Sequence, residues 1–89
     1  MAKLTDAQIY TLRRLNSGSR YRIRTDGKKA FERLPVSGDK NAPSIPVLCR
    51  LGYAKFFVQG EWTYHPVQIT QEGIEAARTL KVSTETDNG

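Results

Sequence analysis

Apolar positions recur along this chain with two different periods, and the switches between them mark its elements. Ile9, Leu12 and Leu15 recur at three-residue spacing behind Leu4-Thr5-Asp6-Ala7-Gln8, a helical stripe. Thr5 is placed to cap the helix, Gln8 to complete a capping box, and Leu4 to staple against Ile9, with Asn16-Ser17-Gly18 as the stop. Arg20-Tyr21-Arg22-Ile23-Arg24 then alternates strictly. This predicts a short strand with Tyr21 and Ile23 on one face and three arginines on the other. Thr25-Asp26 reads as a second helix start, with Ala30, Phe31 and Leu34 as its stripe and Pro35 as its end. Pro35 to Ala42 has turn composition and is expected to be a loop.

A third helix is bracketed by Pro43 and Pro46, which suit a first turn, and by Gly52, which suits a C-terminal cap. It begins no earlier than about Pro43 and carries Ile45, Val47, Leu48 and Leu51. Tyr53 to Gln59 and Trp62 to Thr70 are rich in aromatic and β-branched residues, and Gly60-Glu61 between them predicts a hairpin with a two-residue turn. That turn pairs Val58 with Thr63, Phe57 with Tyr64, Phe56 with His65 and Ala54 with Val67. One face then collects Ala54, Phe56, Val58, Val67 and Ile69 as candidate core, and the other collects Tyr53, Lys55, Phe57, Trp62 and Tyr64. His65-Pro66 is expected to interrupt the second strand. Thr70 caps a last helix with Ile74, Ala77 and Leu80 inward, weakened by Gly73. Residues 1–80 are thus assigned to one domain and 81–89 to a disordered polar tail.

With 89 residues the chain supports one core. No stretch approaches the roughly 20 apolar residues of a membrane span, and Met-Ala-Lys-Leu-Thr-Asp is unlike a secretory signal, so a cytoplasmic protein without a membrane partner is expected. Cys49 is the sole cysteine, which excludes an intrachain disulfide or a cysteine-based zinc site, and it reads as a small buried hydrophobe. His65 is the sole histidine and has no ligand or nucleophile at useful spacing, so no metal, cofactor or enzymatic activity is expected.

Charge alters this picture more than composition does. The net charge is +5, yet the segment from Arg13 to Lys40 carries nine basic residues against Asp26, Glu32 and Asp39, leaving the remainder slightly acidic. Such a segment attracts polyanions by steering and counterion release. Arg20, Arg22 and Arg24 on one strand face, with Lys28 and Lys29 nearby, form a candidate phosphate-binding patch, with a solvated face or a protein-binding face as the alternatives.

The order helix, short strand, helix, helix, two-stranded hairpin, helix resembles the winged-helix superfamily, an α+β fold, and in particular small MarR-like DNA-binding domains. Val47-Leu48-Cys49-Arg50-Leu51-Gly52-Tyr53-Ala54 looks like the end of a recognition helix running into the wing. Val67-Gln68-Ile69-Thr70-Gln71-Glu72-Gly73-Ile74 looks like the exit from the wing, with its apolar-Thr-x-x-Gly pattern. The resemblance implies a small transcriptional regulator that binds double-stranded DNA, with Lys40, Asn41, Ser44 and Arg50 around the third helix as further contacts. That helix is poorly equipped to read bases, and Glu61 places an acid at the wing tip, so backbone contact is expected to dominate. The alternative is a protein-interaction module using an aromatic hairpin face of Tyr53, Phe57, Trp62 and Tyr64, although core packing of those rings is also open.

Overall fold

The computed structural model describes residues 4–36 and 38–82. Helix α1 (Asp6–Asn16) begins as its sequence dictates: the Thr5 hydroxyl accepts from the Gln8 amide at 3.2 Å, and the Gln8 side chain accepts from the Thr5 amide at 2.9 Å. Ile9, Leu12 and Leu15 are buried as the stripe requires. Strand β1 (Arg20–Arg24) also follows its alternation, with Tyr21 and Ile23 buried beneath exposed Arg20 and Arg22.

The segment expected to form a second helix is a strand, β2 (Ala30–Leu34). Ala30 and Glu32 are buried while Phe31 and Arg33 face outward, a period of two that the three- and four-residue spacing of Ala30, Phe31 and Leu34 concealed. Asp26-Gly27 is the reason. Gly27 adopts φ +73°, Arg24 and Lys29 close the turn with a 2.7 Å amide-to-carbonyl bond, and the chain returns antiparallel along β1. The expected loop from Pro35 to Ala42 contains β3 (Gly38–Asn41), which pairs with β2.

Helix α2 (Ser44–Arg50) is a short buried element, with Ile45 and Leu48 fully enclosed. The wing departs from the expected hairpin. Strands β4 (Ala54–Lys55) and β6 (Gln68–Ile69) pair Ala54 with Ile69 and Lys55 with Gln68, two residues out of the predicted register. The intervening β5 (Tyr64–Pro66) leaves that hairpin and joins β1, giving a four-stranded antiparallel sheet in the order β3-β2-β1-β5. Pro66 fits because β5 is an edge strand, and the break anticipated at His65-Pro66 is the point where the chain changes sheets. Helix α3 (Gln71–Thr79) closes the fold.

His65 fixes the wing. It is fully buried, with Nδ1 accepting from the Gln59 amide at 3.3 Å and Nε2 2.9 Å from the Thr25 hydroxyl. A ring that accepts at Nδ1 presents Nε2–H, so Thr25 accepts there and donates onward to the Trp62 and Thr63 carbonyls, each 3.1 Å away. Pulling His65 inward against β1 turns residues 56–63 into a long loop rather than a tight hairpin. Val58, placed on the core face by the expected register, is 57% exposed.

Both α1 and α2 lie on the Tyr21 and Ile23 side of the sheet, where Leu12, Ile23, Ile45, Leu48 and Val82 form the deepest core. Val82 was assigned by sequence to the polar tail, yet its side chain is fully enclosed; residues 83–89 lie outside the described residues. On α3 the enclosed positions are Gly73 and Ala76, with Ala77 and Leu80 packed at the core margin. Among the described residues no helix is long and apolar enough to cross a membrane. The fold is α+β, with one layer of helices on one face of an antiparallel sheet.

Candidate nucleic-acid interface

The other face of that sheet carries no helix among the described residues. Its side chains follow from strand parity, since residues directly opposite across a ladder share a face. Arg20 pairs with Arg33, and Arg33 with Asp39; Arg22 lies between Phe31 and Pro66; Arg24 lies beside Tyr64. The face is therefore arginine-rich around an aromatic centre. Phe31 and Tyr64 lean over β1 into an edge-to-face contact, with ring centroids 4.9 Å apart at 61°.

At one end this face runs into a groove of about 510 Å³ between the β1–β2 turn and α2. Arg24, Lys28, Lys29, Asn41 and Arg50 line it, with Pro46 and Val47 as its apolar floor. Five residues singled out from sequence, drawn from three separate segments, are thus brought together. Arg20 and Arg22 stand on the same sheet face, further along β1, beside a second open groove of about 860 Å³ that also reaches Arg14 and Arg33.

Two predicted contacts are not assembled with these. Lys40 opposes Glu32 in the β2–β3 ladder, which places it toward the helical side of the sheet, away from the arginines. Ser44 begins α2 and does not line the basic groove. Nor does α2 offer a reading surface: within Ser44–Arg50 only Arg50 is exposed.

Acidic neighbours modulate the patch. Asp26 binds the Arg24 guanidinium through both oxygens at 3.0 Å and accepts from the Lys28 amide at 2.9 Å; these bonds hold its carboxyl below the usual range, Arg24 contributing most. Asp39 stands 3.8 Å from Arg33. Arg14 pairs with the buried carboxylate of Glu32 on the helical side. Arg20, Arg22, Lys28, Lys29 and Arg50 form no ion pair among the described residues, although the Lys28 charge is near enough to Asp26 to help lower its carboxyl.

The aromatic set expected on one hairpin face is dispersed. Tyr53 packs against the core margin, and Tyr64 belongs to the sheet face with Phe31. Phe57 and Trp62 are 58% and 62% exposed on the loop, with the Lys55 ammonium 5.6 Å from the Phe57 ring. The register shift that follows from burying His65 is the cause. Sequence reasoning missed Phe31 as a surface ring because it was placed inside a helix; Asp26-Gly27 was the signal that could have corrected it. Cys49 is partly buried, and its thiol is pushed up to about 11 by that burial. Among the described residues no group of histidine, cysteine and carboxylate side chains is placed to hold a metal ion.

No known protein family, curated protein or solved structure matches the chain at a significant level.

Proposed function

We propose that this protein is a small nucleic-acid-binding domain that holds its partner mainly through the phosphate backbone. One observation carries the reading: Arg20, Arg22, Lys28, Lys29 and Arg50, none of them in an ion pair among the described residues, share the open sheet face and its adjoining groove. Clustered cations on one face attract a polyanion at long range and gain from counterion release on contact.

Duplex DNA and a role in transcriptional regulation remain within this proposal, as does kinship with winged helices. The chain order of α1, α2, a β4–β6 wing and α3 suits that kinship, whereas β2 occupies the position of the first helix of a helix-turn-helix pair. A seven-residue α2 with one exposed side chain favours backbone attraction over base reading. The test is a fluorescence anisotropy titration of labelled duplex DNA at about 50 mM and 200 mM salt. Five phosphate contacts imply a logarithmic slope of about −4.5, hence an affinity roughly 500-fold weaker at the higher salt. Absence of binding at the lower salt would refute the proposal for duplex DNA.

A second reading, a protein-binding module, is favoured by exposed Phe57, Val58 and Trp62 on one loop. Alanine at Phe57 and Trp62 should leave melting unchanged and abolish capture of a protein partner if that reading holds.

A further inference from the structure

The cations and the aromatic rings lie together on the open sheet face, and a duplex uses only the first of these. In a duplex the base faces are hidden within the stack, so Phe31 and Tyr64 would meet nothing but sugar and phosphate. Unpaired bases are different, because each presents a π-face that an aromatic side chain can cover, whatever the sequence.

The geometry suits that use. Phe31 on β2 and Tyr64 on β5 are both partly exposed, and they meet over the middle of the sheet rather than at its rim. Their edge-to-face contact leaves both faces of the ring that contributes its edge outside the pair. Cations interleave with the rings: on β1, between the strands that carry them, Arg22 is level with Phe31 and Arg24, held by Asp26, is level with Tyr64, while Arg20 lies beyond at one end and Lys29 sits opposite Arg24 at the other. This interleaving suits a strand whose bases stack on the rings while its phosphates meet the cations beside them. α2, with Arg50 as its one exposed residue, offers a single side chain to a duplex groove.

We infer that the open face of the β3-β2-β1-β5 sheet is a stacking platform for single-stranded nucleic acid, with Phe31 and Tyr64 covering bases and the flanking arginines holding phosphates. This rests on the nucleic-acid reading above and narrows its ligand to unpaired strands. Sequence preference should be weak, since stacking on an aromatic ring tolerates every base.

The experiment compares a labelled oligothymidylate of about 15 nucleotides, within the roughly 4 to 16 known for such platforms, with a duplex of the same length at equal salt. The single strand should bind at least about tenfold more tightly. Phe31→Leu and Tyr64→Leu keep an apolar side chain and remove the π-face; each should weaken the single strand about tenfold and leave duplex affinity unchanged. Should either variant fail to fold, the unaltered protein is irradiated with a 5-iodouracil-substituted strand, and cross-links should map to Phe31 or Tyr64. Equal or tighter duplex binding, unaltered binding by both folded variants, or cross-links confined to other residues would overturn the platform. Salt-dependent duplex binding with no single-strand preference removes this inference alone; failure to bind either nucleic acid removes the parent reading as well. Equal displacement by polyglutamate and by excess oligothymidylate would reassign the face to acidic proteins.

Discussion

Replacing a helical glycine by alanine ordinarily stabilises a protein by about 0.4–1 kcal/mol, yet Gly73→Ala should do the opposite here. Gly73 lies in the first turn of α3 and is buried. A Cβ built there would overlap the Tyr53 carbonyl oxygen and fall 3.0 Å from the Tyr53 carbonyl carbon and 2.7 Å from Ile69 Cγ1, where ordinary contact begins near 3.4 Å. The carbonyl cannot easily swing aside, because it accepts the Thr70 amide at 3.1 Å, and Thr70 in turn ties the wing to α3. Its hydroxyl donates to the Gly52 carbonyl at 2.6 Å and accepts from the Gly73 amide at 3.1 Å. Overpacking costs about 1–3 kcal/mol and a weakened hydrogen bond about 1, against a helix-propensity gain of about 1. The net expectation is a loss of about 2 kcal/mol, or a melting point lower by about 8–16 °C in a domain of this size. Urea denaturation followed by far-ultraviolet circular dichroism is the suitable assay, since Trp62 is too exposed to report faithfully on the core. A Gly73→Ala protein as stable as the parent, or more so, would refute the packing argument. The apolar-Thr-x-x-Gly pattern at residues 69–73 thereby acquires a physical content independent of any kinship: a cap, a tether and a close approach.

Three further outcomes follow from the same geometry. Arg14→Ala leaves the buried Glu32 carboxylate without its guanidinium and should cost about 1.5 kcal/mol, the low end for a bond to a charged group because Arg14 is half exposed; Glu32→Gln should cost less, and chemical denaturation separates the two. His65→Leu deprives the Gln59 amide of its acceptor and should destabilise by about 1–3 kcal/mol, with faster amide exchange at Gln59 measured by NMR. The Asp26 carboxyl should titrate below the ordinary value of about 3.9, and Arg24→Gln should return it toward that value. Because folding lowers this pKa, the pair's contribution is present at neutral pH and is lost as the pH falls from about 3.9 through the folded value.

Local signals were the legible part of this fold. The capping box at Thr5 and Gln8, the alternation from Arg20 to Arg24, the proline and glycine brackets of α2 and the Thr70 cap are each satisfied within a few residues, and each element formed where read, although α3 buries Gly73 and Ala76 rather than Ile74, and Leu51 lies exposed beyond the end of α2. What could not be read depended on distant partners. Ala30 to Leu34 fits a helical stripe in isolation, and it becomes a strand because the Asp26-Gly27 turn delivers it to the edge of β1. The wing register likewise depends on His65 finding Thr25, 40 positions away in sequence, which draws Tyr64 out of the hairpin. The same division holds at the candidate interface. The basic segment was visible as composition, and its arginine face as periodicity. The groove that joins Arg24, Lys28 and Lys29 to Asn41 and Arg50, and the ring pair of Phe31 and Tyr64, exist only once β2 is a strand.

The central claim concerns location: the open sheet face and its groove, rather than net charge in general, bind the polyanion. Two triple variants of equal charge decide it, one neutralising Lys28, Lys29 and Arg50 to glutamine and the other Lys40, Lys55 and Arg78, which do not line the groove. Binding of a labelled nucleic acid is measured across a salt series for both. The groove variant should lose most of the affinity at low salt and flatten the logarithmic salt slope by about 2.7, while the control keeps a slope close to that of the parent protein. Equal losses in the two variants would contradict the account.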